Sequence, residues 1–400
     1  MKMKNNIYIS LLLLSHTLLY AQNIELLSKE KQELLLQEQN RYESEYKKLR
    51  DNWIAPLNLN ASYGYDKSAN DMHSDSKKVQ VSINQDIFRS GGITYAINYA
   101  GAKKRSDAIA LFREIALLNE NLFASLLQYK KNSYELEQSV KKLANNDIEI
   151  FIKVQLYRAG KVDITDLNNA LMNKSNEQKN YALLEANRAK HRLEISKISD
   201  INPDDFALFS FELIDESNFL KNNFELQYAD AQSKTYKESY NVIQSNYLPR
   251  VSLNGAAGYL SNESKERLME YDGDFYSAGV ALNIPLTYNA RATKEEARAT
   301  FLKSAAEIQD KQRNLKASYA QVLELIKSYK KYIEITSKNI PLYDELIEAI
   351  SAGVEMGYKT GYDLQTLQNS KEIEKYNIKI NEINIELELA KLHFSINKEQ

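Results

Sequence analysis

Four histidines, His16, His73, His191 and His393, are scattered through 400 residues that include no cysteine, so no ligand set at metal-binding spacing can be drawn. Nor does the sequence hold a phosphate-binding glycine loop, a dinucleotide fingerprint, or a nucleophile with its base. No catalytic residue, metal or cofactor is expected. The residues that invite a chemical role are charges at two turns: Asp163 and Asp166 beyond Gly160, and Lys359 and Asp363 around Gly357 and Gly361. Asp163 and Asp166 are three apart and share a helix face, and Lys359 sits in the turn opposite. A partly exposed ion pair of that kind contributes roughly 0.2–1 kcal/mol, little enough for a partner to displace, yet multiplied around a symmetric ring it can hold a passage shut. The carboxylates have a second reading: Asp163 and Asp363 can cap helices by accepting hydrogen bonds from first-turn amides. The acidic groups of loops 66–77 and 260–274 (Asp66, Asp71, Asp75; Glu270, Asp272, Asp274) match no calcium-loop spacing and read as solvated turns.

What must position those turns is visible along the chain. Lys2 and Lys4 precede an apolar run from Ile7 to Leu19 and a small residue at Ala21, the pattern of a secretory signal peptide over residues 1–21. No later stretch approaches the roughly 20 apolar residues of a transmembrane helix, so any membrane contact is expected through strands. With 52 basic and 54 acidic residues the net charge is −2, and no global attraction to nucleic acid is expected.

The sequence is internally duplicated. Pro56-Leu-Asn-Leu-Asn-Ala-Ser-Tyr-Gly-Tyr65 returns as Pro249-Arg-Val-Ser-Leu-Asn-Gly-Ala-Ala-Gly-Tyr259, Val81-Ser-Ile-Asn84 as Val280-Ala-Leu-Asn283, and Gly160-Lys-Val-Asp163-Ile-Thr-Asp-Leu167 as Gly361-Tyr-Asp363-Leu-Gln-Thr-Leu367. The repeats are placed at 22–200 and 201–400, each reading helix, strand, loop, strand, long helix, turn, return helix. Strands are expected at about 55–66, 77–88, 249–260 and 275–287, where apolar and polar or tiny residues alternate strictly and aromatics sit near the ends. Segments of about 10 residues with that dyad suit a tilted membrane strand, and equally an amphipathic sheet on a soluble core. Residues 91–157 and 290–356 then carry a narrow apolar stripe stepping by three and four, such as Leu111, Ile115, Leu118, Leu122, Leu126 and Tyr129, which is a coiled-coil seam. At 1.5 Å per residue each helix would span about 100 Å. The tip turns fall at 158–163 and 356–362. The return pieces 163–198 with 216–246, and 363–396 with 22–50, match the outgoing lengths, which favours one shared helical cylinder with irregular chain midway. Four strands cannot close a barrel and an open edge in lipid leaves backbone groups unsatisfied, so other copies must complete it, with two chains in all for eight strands or three for 12.

The order of elements, the duplication and three motifs resemble the TolC-like outer-membrane efflux proteins. The motifs are Gln85-Asp-Ile-Phe88 with Gly91-Gly92, Leu156-Tyr-Arg-Ala-Gly160 through Ile164-Thr-Asp-Leu-Asn-Asn-Ala170, and Val354-Glu-Met-Gly-Tyr-Lys-Thr-Gly-Tyr-Asp-Leu364. The resemblance covers essentially the whole chain after residue 21. It implies an α+β membrane protein with four barrel strands per chain, antiparallel coiled-coil helices forming an α-barrel, and a homotrimer with a 12-stranded barrel. It also implies residence in the outer membrane with a long periplasmic portion, and a passive exit duct of a tripartite efflux or type I secretion system. The implied partners are outer-membrane lipid, a periplasmic adaptor (membrane fusion protein) and an inner-membrane transporter.

Carried over position by position, Thr165 and Asp166 match the acceptor side of the family's periplasmic gate, Lys359 falls at its basic side, and Asp363 matches an acid that narrows the pore. Arg158, Gly160, Gly357 and Gly361 fall at the adaptor-contacting tips. Thr366 stands where a second acid is expected and Val354 where a gate tyrosine is expected, so a weaker or differently built lock is expected. Pro341, inside the second long helix about fifteen residues before its tip, removes a backbone bond and has no counterpart in the first repeat. The alternative reading is a periplasmic coiled-coil adaptor or adhesin stalk, for which a lipid anchor or unmatched helix lengths would be expected.

Overall fold

The computed structural model describes residues 24–67, 73–207, 210–264 and 271–397. The signal-peptide segment 1–21 lies outside the described residues, as do Asp71 and Glu270 of the two acidic loops. In chain order, a short 3-10 turn at Ile24–Leu26 is followed by α1 (Lys29–Asp51), β1 (Asn58–Lys67), β2 (His73–Phe88), α2 (Gly92–Arg158) and α3 (Ile164–Ser196). Then come α4 (Glu216–Asn222), α5 (Phe224–Ser245), β3 (Arg250–Ser264), β4 (Tyr271–Asn283), α6 (Ala290–Glu355) and α7 (Gly361–Phe394). No described helix is long and apolar enough to cross a membrane. The chain divides into two compact units, one built on Phe112–Leu226 with the chain up to Leu36 and from Lys311, the other on Gln37–Leu111 and Gln227–Asp310.

The second unit holds the sheet, antiparallel in the order β1-β2-β3-β4. The central β2·β3 pair joins the two repeats, and the register aligns their alternation row by row. Leu59, Val81, Ala257 and Tyr276 form one row on one face; Asn58, Ser82, Ala256 and Ser277 form a row on the other. The apolar face, with Leu59, Val280 and Leu282 each about two-thirds exposed or more, is left uncovered by the described residues. The rows from Val251 to Tyr259 cover about 27 Å of strand at roughly 3.4 Å per residue, enough for a tilted strand to cross a bilayer. The strands run further into the acidic loops than the alternation suggested. Asp75, Asp272 and Asp274 are strand residues rather than loop residues: the Tyr63 hydroxyl donates to Asp75 at 2.7 Å and that of Tyr259 donates to Asp272, so cross-strand pairs carry the ladder outward. At the other end β4 stops at Asn283, short of 287, because Pro285 has no amide to give.

In the first unit the core gathers Phe123 and Leu127 of α2, Phe211, Phe219 of α4, Tyr319, Val322 and Ile326 of α6, and Ile383, Leu389, Leu392 and Phe394 of α7. Phe123 meets Phe211 edge-on at 5.7 Å and Phe394 at 5.1 Å, and Tyr319 donates to the Ile214 carbonyl at 2.7 Å. The irregular segment is tied down by ionic contacts as well: Asp204 accepts from Tyr129 at 2.6 Å and pairs with Arg188 and Arg192, each at 3.3 Å. These contacts, the Tyr129 hydroxyl foremost and then the two arginines, hold the Asp204 carboxyl below the usual carboxylate range.

Two sequence readings need correction here. The helix expected over 216–246 is broken at Asn223, whose extended backbone bridges Ile396, while Phe224 N donates to Ser395 O at 3.0 Å and Asn397 N to Asn222 O at 2.8 Å. The chain's end thus supplies the backbone partners that compensate the interrupted helix. The coiled-coil stripe is also only partly apolar. From Leu111 to Tyr129 it is buried almost throughout, but toward the tips α2 and α7 meet through amides: Gln138 Nε2 donates to Asn377 Oδ1 at 2.6 Å and Asn369 Nδ2 to Asn145 Oδ1 at 2.9 Å. No residue of α6 beyond Ile326 is buried.

Candidate functional site

The first unit carries both tips. At the first, α2 ends at Arg158 and Gly160 takes φ +67°, so that Gly160 N donates to Tyr157 O at 2.9 Å and Lys161 N to Leu156 O at 2.9 Å. That left-handed closure satisfies the last helix carbonyls, and a side chain at 160 would be strained even though nothing lies within 4 Å of its Cβ position. Asp163 is the N-cap of α3, its carboxylate accepting from Thr165 N at 3.4 Å, and Thr165 and Asp166 occupy the first turn beyond it. Arg158, Thr165 and Asp166 are exposed.

The second tip repeats the closure at Gly357, with φ +79° and Tyr358 N donating to Gly353 O at 2.8 Å. Its return helix begins earlier than expected, and the N-cap is Thr360 rather than Asp363. Thr360 and Asp363 form a reciprocal capping box: Asp363 N donates to Thr360 Oγ1 at 3.3 Å, while Thr360 N and Oγ1 donate to Asp363 Oδ2 at 3.0 and 2.8 Å. Those bonds, backbone amide first and hydroxyl second, with Lys359 nearby, hold the Asp363 carboxyl below its usual range. Gly361 is the first residue of α7, without positive φ, so the backbone there does not demand glycine.

Lys359 and Asp166 are not brought together within the chain: among the described residues neither shares an ion pair, and Lys359 folds back so that its Cγ lies 2.8 Å from where a Cβ on Gly353 would stand. What links the two hairpins near the tips is different. Phe151 of α2 packs against Tyr362 of α7 at 5.0 Å between centroids with the rings tilted at 43°, followed by the amide contacts of Asn145 with Asn369 and Ser370. The sequence marked none of these residues, because an aromatic or amide at helical spacing reads equally as surface. Tyr358 and Met356 are among the most exposed large apolar side chains of the unit, with Ile164 exposed at the first tip. An apolar residue at a turn end is available to a partner.

In the second unit, the Gln85-Asp-Ile-Phe88 segment locks the end of the sheet. Gln85 accepts from Ala55 N at 2.9 Å and donates to Trp53 O at 3.1 Å, and Asp86 pairs with Arg89 at 2.6 Å. Among the described residues, no group of three histidine or acidic side chains stands close enough to hold a metal ion.

Comparison with known proteins agrees with this arrangement. The model of the family described as outer membrane efflux protein matches residues 33–199 and again 217–378, one match in each repeat. No curated protein matches the chain by sequence. Among solved structures, the outer membrane protein VceC of Vibrio cholerae is similar over 92% of this chain and 93% of that one, with 12% identity and a TM-score of 0.73. The CmeC outer membrane channel of Campylobacter jejuni (12% identity, 95% and 86% covered, TM-score 0.72) and the MtrE outer membrane channel of Neisseria gonorrhoeae (14% identity, 94% and 87% covered, TM-score 0.70) share the fold. That fold accounts for the uncovered strand face and the paired tips, and the two family-model matches account for the duplication: the chain belongs to the outer membrane efflux protein family, an exit duct in the outer membrane.

Proposed function

We propose that three copies of this outer-membrane channel close a 12-stranded barrel and passively conduct cargo that an inner-membrane transporter delivers through a periplasmic adaptor. The observation that carries the assembly is the sheet: four strands, an uncovered apolar face, a polar opposite face, and no partner for the outer edges of β1 and β4 among the described residues. In a bilayer each unpaired edge group costs several kcal/mol, so the edges must meet other copies. The bare stretch of α6 beyond Ile326 and the exposed Leu171, Met172 and Leu183 of α3 supply helical surface for the same contact. Family membership sets aside the stalk and adaptor alternative.

At the periplasmic end the reading is a gate made between copies, with Lys359 donating to Asp166 and Thr165 of a neighbour and Asp363 narrowing the opening. Arg158, Gly160, Gly357 and Gly361 shape the tips that an adaptor grips, helped by exposed Tyr358 and Met356. Residues 1–21 direct export and are removed. Native mass spectrometry of the detergent-solubilised protein tests the assembly: three chains per particle are expected, while a stable monomer or a dimer would overturn it.

A further inference from the structure

The polar face of the sheet carries few charges, and their placement is informative. Its successive rows read Ser62, Lys78, Leu260, Gly273, then Asn60, Gln80, Gly258, Phe275, then Asn58, Ser82, Ala256, Ser277. Among the described strand residues, the charged side chains on this face are Asp66 at the outer end, Asp86 and Arg250 at the inner end, and Lys78 between. Asp86 is held by Arg89. Lys78 has no ion pair among the described residues; its Nζ stands 5.3 Å from the centre of the Phe275 ring, two strands away. On β3, the strand between them, the row of Phe275 has glycine at 258, where a Cβ would come within 2.7 Å of Gln80 Cα. The bare backbone of β3 leaves the face open for the Lys78 stem to reach that ring. Lys77, its neighbour in sequence, lies on the opposite face in the row of Tyr63, Ser261 and Asp272.

We infer that Lys78 sets the charge preference of the barrel section, favouring small anions over cations as they pass. The inference rests on the reading that the polar face lines the pore. The Phe275 ring holds the ammonium against the wall without the compensating negative charge that a carboxylate partner would bring. One Lys78 per copy makes a ring of positive charge, and low-dielectric walls focus its field into the lumen. Because the Debye length is about 10 Å at 0.1 M salt and about 3 Å at 1 M, the effect belongs to dilute salt.

The test is the reversal potential of single channels in a planar bilayer under a potassium chloride gradient around 0.1 M. Lys78→Gln should lower the chloride-to-potassium permeability ratio about threefold relative to the parent. Lys78→Arg should keep the parent ratio, Lys77→Gln should leave it unchanged, and the Lys78→Gln shift should vanish near 1 M salt. An unchanged ratio in Lys78→Gln, or an equal shift in Lys77→Gln, would overturn the inference while leaving the channel standing. A folded oligomer that makes no pore would remove the channel reading and this inference with it.

Discussion

Thr360 and Asp363 show how little chemistry a tip requires. Each caps the other, so losing one leaves first-turn amides of α7 without partners. Thr360→Ala is expected to cost about 1 kcal/mol, read as faster hydrogen exchange of the amides at 363–365. The Asp363 carboxyl is held below its ordinary value of 3.8, first by the Thr360 amide and then by its hydroxyl. A depressed value in the folded state means that this contribution is present above the ordinary value and is lost as pH falls through the lower folded one. The α7 tip should therefore fray on acidification below about pH 4, and Asp363→Asn should lack that dependence. Lys359 is free of this box on its donor side, and a partly exposed pair with a neighbour's Asp166 would contribute only roughly 0.2–1 kcal/mol per contact. Small flickering openings in the parent and larger, steadier ones in a Lys359→Ala, Asp166→Ala double variant are expected in bilayer recordings. Equal openings would discard the gate and direct attention to the Phe151–Tyr362 ring contact.

At the scale of elements, the core around Phe123 fixes the middle of the helical unit and the tips are built on thinner contacts. Phe123→Ala removes a ring in contact with Phe206, Phe211 and Phe394 and is expected to destabilise by about 3–5 kcal/mol, measured by denaturant unfolding. Pro341 lies within α6, in the stretch that buries nothing within the chain. With one backbone bond missing there, bending of the second hairpin is easier than of the first, so Pro341→Ala is expected to reduce open probability. Unaltered gating in that variant would show that the proline is only tolerated.

Much at this scale was legible beforehand. Strict alternation located all four strands, and Leu111 to Tyr129 located the buried seam, because burial on one face leaves a period in the sequence. What stayed hidden depends on partners distant in sequence. The break at Asn223 needs Ser395 and Asn397 to accept and donate, and nothing local at 216–246 announces it. The longer strands need tyrosines facing aspartates across the ladder. The amides of Gln138, Asn145, Asn369 and Asn377 look like solvent-facing helix residues until they meet one another. At the second tip, Asp363 resembled a cap because a first-turn acid and an N-cap acid look alike without the Thr360 geometry.

For the whole molecule, the isolated chain is visibly incomplete in both of its units. The sheet has apolar residues on one face and polar ones on the other, with backbone groups at both edges unpaired among the described residues, and no residue of α6 beyond Ile326 is buried. Membership of the outer membrane efflux family fits this, and on the proposed three-chain assembly each chain would contribute a sector of the barrel and leave its sides for other copies.

The most direct test of the central claim is single-channel recording of the purified, detergent-folded oligomer in a planar lipid bilayer. Discrete conductance steps that scale with bulk salt are expected of a water-filled barrel. A correctly folded oligomer that inserts and conducts no ions would contradict it.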